Sequence, residues 1–137
     1  MKHLFVTYEI AKLLKQEGFN ENCFSSMQNE NNPNKIKEQE FCFCPSQVNF
    51  NRNDYTLIPL YQQVIDFLMK DYKLLLVPIP VMLKISSAKT RLIHGDLFRF
   101  DICSLNDENF KPIYTTKKDL PYYKALDEAI KKSLELI

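Results

Sequence analysis

The stretch LIPLYQQVIDFLMKDY, residues 57–72, constrains the fold more than any other part of the chain. Leu57, Tyr61, Val64, Ile65, Leu68 and Tyr72 recur at helical spacing, and Leu60 and Phe67 widen the stripe. A helix with so broad an apolar face must bury it against an extensive apolar surface, and a sheet offers one. Gln62, Gln63, Asp66 and Lys70 are left for solvent. Pro59 is expected in the first turn, where its missing N–H costs no hydrogen bond.

Two further helices flank this one in sequence. Over Thr7–Glu17, Ile10, Leu13 and Leu14 follow helical spacing while Lys12, Lys15 and Gln16 turn outward. Thr7 suits an N-cap, Gly18 the left-handed residue that ends a helix, and Phe19 an apolar anchor just past it. From about Pro121 to the end, Tyr123, Leu126, Ile130, Leu134 and Ile137 form a stripe at steps of three and four. Asp127 with Lys131 and Glu128 with Lys132 are acid-first pairs four apart, worth roughly 0.2–0.5 kcal/mol each on a helix.

Strand signals fill the gaps. A short strand is expected near Cys23–Met27, a turn over 29–35, and period-two strands at FCFC (41–44) and QVNFN (47–51), followed by a turn at 51–54. LLLVPIPVMLKI (74–85) carries Pro78 and Pro80, which confine an extended segment to a sheet edge or an irregular stretch. SSAKTRLIHGD (86–96) reads as a loop. LFRFDIC (97–103) alternates Phe98, Phe100 and Ile102 against Arg99, Asp101 and Cys103, and NDEN (106–109) is a turn. The expected fold is α+β: one domain over 1–137, a mainly antiparallel sheet packed by about three helices. The length of 137 residues is near the usual size of one domain.

Eighteen basic residues against seventeen acidic leave a formal charge of +1, so no global pull toward nucleic acid or anionic lipid follows. The opening segment is interrupted by Glu9, Lys12 and Lys15 and lacks the shape of a secretory signal. No apolar run approaches the ~20 residues of a membrane helix. The expectation is an intracellular chain with reduced thiols. Two glycines in the whole sequence leave nothing for a nucleophile elbow or a glycine-rich phosphate loop. YEIAKLLKQEGF resembles the first helix of a helix-turn-helix, but an Asn-rich, helix-poor stretch follows where a recognition helix is required, so nucleic acid is not expected as a partner.

Candidate chemistry is sparse. Cys42 and Cys44 are one residue apart, beside Cys23, Cys103, His3 and His94. In an extended strand their sulfurs stand roughly 6.5–7 Å apart, too far to share one zinc at ~2.3 Å without a bend. They are read as small apolar residues opposite Phe41 and Phe43, and no metal or cofactor is expected. Asp101 beside Arg99 reads as a solvated pair, with an ion pair or a ligand contact as alternatives. Between 70 and 99, Lys70, Lys73, Lys84, Lys89, Arg91 and Arg99 outnumber Asp71 and Asp96. With the hydroxyls of SSAKTR this region suits an anion, the alternative being a solvated hairpin loop. Lys84, Lys89, Thr90, Arg91 and Arg99 are the candidate binding residues for a nucleotide-like ligand, and no catalytic residue is assigned.

Three segments together, MKHLFVTYEIAKLLKQEGFNENCF (1–24), PLYQQVIDFLMKDYKL (59–74) and YYKALDEAIKKSLELI (122–137), resemble a group of small uncharacterised proteins of Bacteroidetes phages and prophages. The middle helix of that group often carries a tryptophan where this chain has Phe67. The resemblance implies a mobile-element origin and action in the cytoplasm of a bacterial host, and transfers no catalytic residue. With good core signals and no catalytic constellation, the expected function is that of a non-catalytic phage or mobile-element accessory protein that binds a host protein, such as one of a defence system, or its own copy. Sequestration of a small phosphorylated ligand through the basic 84–99 region is the alternative.

Overall fold

The computed structural model describes residues 2–28, 39–41, 55–84 and 92–137. The chain is α+β, and two units follow one another in the span read above as one domain, residues 1–67 and 68–137.

In the first unit, a 3-10 turn over Lys2–Leu4 leads to Phe5, which bridges Leu60, and Val6 donates its N–H to the Pro59 carbonyl at 3.1 Å. Helix α1 (Tyr8–Gln16) starts as its sequence requires: Thr7 is extended, and its side chain accepts the Ile10 N–H at 3.4 Å. It ends on Gly18 at φ +85, with the Phe19 N–H donating to the Leu14 carbonyl and the Gly18 N–H to that of Lys15. Those two bonds form a Schellman cap, which satisfies carbonyls the last turn leaves over. The buried face is Ile10, Ala11 and Leu14. Leu13, expected on it, is exposed, because Ala11 takes the inward position.

Phe19 then packs edge-on against Phe67, with ring centroids 5.2 Å apart. Strand β1 (Ser25–Gln28) is the middle of a three-stranded antiparallel sheet, between β2 (Gln39–Phe41) and β3 (Tyr55–Leu57). The Cys42/Cys44 pair, the turns expected at 29–35 and 51–54, and the strand expected at 47–51 lie outside the described residues.

Helix α2 (Tyr61–Tyr72) buries Tyr61, Val64, Phe67 and Leu68, with Ile65 and Tyr72 half-buried. Pro59 is not in its first turn. It precedes the helix by two residues, where the bond to Val6 holds the chain extended. Gln63, expected in solvent, is half-buried: its Oε1 accepts the Leu60 N–H at 3.0 Å, and its Nε2 donates to the Asn22 carbonyl at 2.7 Å. The first bond caps the helix start, the role a Gln has three residues into a helix.

In the second unit, Lys73 at φ 57 turns the chain out of α2 and accepts the Leu105 N–H on its carbonyl. Strands β4 (Leu74–Lys84) and β5 (Leu92–Ser104) form a long antiparallel pair, in register from Leu74 with Ser104 to Lys84 with Leu92, with an irregularity between Pro80 and Met82. The loop expected over 86–96 is therefore too long, since β5 begins at Leu92 and residues 92–94 pair with 82–84; those partners outweigh a weak local strand signal. On the far side of β5, β6 (Pro112–Thr115) and β7 (Leu120–Pro121) pair in tandem with its two halves.

The ladder explains both prolines of β4. Pro78 lies opposite Phe100, whose N–H and C=O both bond to Thr116 on the other side of β5. That pair is therefore not hydrogen-bonded across β4–β5, and the Pro78 nitrogen points to the outer edge, where no ladder donor is needed. Pro80, opposite Phe98, has the same parity. Among the described residues nothing pairs with that outer edge, in keeping with the edge expected from the prolines.

Helix α3 (Tyr122–Leu136) lies on β5 and buries Ala125, Leu126, Ala129, Ile130, Ser133 and Leu134. Small residues at 125, 129 and 133 allow a close approach, and the Ser133 hydroxyl is satisfied by donating to the Ala129 carbonyl at 2.8 Å. Tyr123 and Ile137, expected in the apolar stripe, are exposed. Tyr122 instead packs edge-on against Phe98 and Phe100, with centroids 5.3 and 5.5 Å away. Among the described residues, no helix is long and apolar enough to cross a membrane.

Candidate functional site

Between β6 and β7 lies a four-residue turn, Thr116 to Asp119. Both ends of this turn are fastened to β5. Thr116 is buried, its Oγ1 accepts the Phe100 N–H at 2.9 Å, and its own N–H donates to the Phe100 carbonyl at 2.9 Å. A side-chain oxygen thus replaces the carbonyl a continuous strand would supply. At the other end the Arg99 Nε donates to the Asp119 carboxylate. Lys117 and Lys118, held between two anchors, are exposed.

Helix α3 supplies the facing wall. Glu128, Lys131, Lys132 and Glu135 are at i, i+3, i+4 and i+7, one side of a helix. Tyr114 completes the site: it pairs with Ile102, so its ring is on the face of the sheet that carries α3. Lys132 Nζ is 4.9 Å from the centroid of that ring and 3.0 Å from Glu135 Oε2. The hydrogen bond that Lys132 donates to Glu135, then the charge of that carboxylate, holds the Lys132 ammonium above the usual lysine range. Together these residues line an open groove of about 320 Å³. Among the described residues, Lys117, Lys118 and Glu128 have no hydrogen-bond or ion-pair partner.

Of the binding residues singled out in the sequence, only Arg99 touches this site, through Asp119. Lys89, Thr90 and Arg91 lie outside the described residues, and Lys84 is placed only as the last residue of β4, in register with Leu92. Arg99 is engaged by Asp119, and Asp101 accepts a hydrogen bond from the Thr115 hydroxyl rather than pairing with Arg99. Of the groove residues, the sequence singles out only Glu128, Lys131 and Lys132, as members of helical pairs, and gives no signal at Lys117 and Lys118. Lys132, expected opposite Glu128, is instead joined to Glu135.

The two described cysteines are buried. Burial, and then the charge of Glu21, pushes the Cys23 thiol up to about 12, and burial likewise raises Cys103. A thiol held protonated is a poor nucleophile. Among the described residues, no group of three or more His, Cys, Asp or Glu is placed to hold a metal ion. No family model matches the chain, and no curated protein or solved structure is significantly similar to it.

Proposed function

We propose that this chain is a non-catalytic binding protein that takes a small phosphate-bearing anion in the groove between the 116–119 turn and α3. The observation that carries this reading is the pair of lysines, Lys117 and Lys118, without a partner among the described residues and lining a groove together with two more lysines. Near a protein surface a charge pair at 4 Å interacts by about 4 kcal/mol, against about 1 kcal/mol in bulk water. Two cations on a doubly anchored turn favour a dianion, because little backbone freedom of the turn remains to be lost on binding. The phage-like pattern of the three segments supports a setting in a bacterial host, where such a protein would sequester a nucleotide-like signal as a mobile-element accessory. Docking to a host protein or to a second copy is the competing role.

Calorimetry separates these roles, using inorganic phosphate, pyrophosphate and a nucleotide panel on wild type and on Lys117→Ala/Lys118→Ala. Saturable binding to wild type, weakened at least about tenfold in the double variant with unchanged circular dichroism, is the expected result. If no anion of the panel binds wild type, the reading fails.

A further inference from the structure

The groove carries a group that a bare anion would avoid. Glu128 lines it beside the lysines and, among the described residues, has no partner. Its natural helical partner four residues on, Lys132, is engaged by Glu135 and lies over the Tyr114 ring. At 1.5 Å rise per residue, Glu128 stands about 4.5–6 Å along the axis from Lys131 and Lys132. A carboxylate at that spacing opposes binding of inorganic phosphate by like-charge repulsion. It becomes favourable when the ligand itself brings hydrogen-bond donors, since an ionised carboxylate only accepts and charge-assisted bonds are the stronger kind.

We infer that the groove selects a phosphate ester whose other end carries an N–H donor edge, with the phosphate at Lys117 and Lys118 and the donor edge at Glu128. This rests on the reading of the groove as an anion site. The volume narrows the ligand further: about 320 Å³ is at the low end of the ~300–1,000 Å³ typical of small-molecule pockets. One mononucleotide suits it better than a dinucleotide or a strand. Guanine, with its ring N–H and exocyclic amine on one edge, matches a single carboxylate through two parallel bonds.

The probes are guanosine 5′-monophosphate, ribose 5-phosphate and inorganic phosphate, titrated into wild type and Glu128→Ala. Wild type is expected to bind the nucleotide at least about tenfold more tightly than ribose 5-phosphate. In Glu128→Ala that preference collapses, while inorganic phosphate binds as well as before or better. Glu128 is exposed, so the variant is expected to keep its fold, checked by its thermal melt. A preference unchanged in Glu128→Ala, or equal binding of all three probes by wild type, overturns the inference and leaves the anion site standing. Absence of binding by every probe overturns the anion site and the inference together.

Discussion

Cys23 is fully enclosed, and burial, then the charge of Glu21, pushes its thiol from an ordinary 9.0 up to about 12. The unfolded chain gives up this proton near pH 9, whereas the folded chain holds it for about three pH units more. Between those values the unfolded state binds fewer protons, so stability falls as pH rises. The contribution is intact below pH 9 and is lost progressively toward pH 12. Urea unfolding at pH 7 and pH 10 should show wild type losing about 1 kcal/mol more than Cys23→Ala over that interval. Parallel losses in the two proteins would show that the thiol is not shielded as described. At this scale the sequence was informative where the chemistry is local. Thr7 and Gly18 announced both ends of α1, because a cap involves neighbours in the chain. Gln63 gave no such signal, since one of its two bonds reaches Asn22, forty-one residues away.

Pro78 and Pro80 show what an element can encode beyond its own conformation. By directing two missing donors outward, they leave the edge of β4 a poor template for another strand, a recurrent defence of exposed sheet edges. Replacing both with valine restores two N–H groups on that edge without disturbing the bonds to β5. The double variant is expected to stay folded and to associate with rising concentration, seen by light scattering, where wild type does not. A variant that remains monomeric throughout would remove the prolines from this role. The helices were the legible elements, because broad apolar stripes persist over many residues. Strands β6 and β7 were not: PIYT and LP are too short to alternate, and their pairing depends on β5, from Cys103 opposite Pro112 to Leu97 opposite Pro121. The same dependence hid the groove, whose 116–119 side is placed by the bonds of Thr116 to Phe100.

For the chain as a whole, a formal charge of +1 conceals an uneven distribution, with four lysines on one small groove. Long-range attraction of anions should therefore be weak and local attraction strong. Affinity for pyrophosphate is expected to fall several-fold between 50 and 500 mM NaCl as the screening length shrinks from roughly 14 to roughly 4 Å. Lys117→Ala/Lys118→Ala should flatten that dependence while changing stability by no more than about 0.5 kcal/mol, as exposed substitutions usually do. A salt dependence equally steep in the variant would place the anion elsewhere. The fastening of the 116–119 turn bears on how such a protein can change over generations. Thr116 and the Arg99–Asp119 pair close the sheet on either side of positions 117 and 118, which contribute nothing to the ladder themselves. Those two positions are free to drift, or to be randomised in a library, so new ligand preferences can arise there without the fold being put at risk.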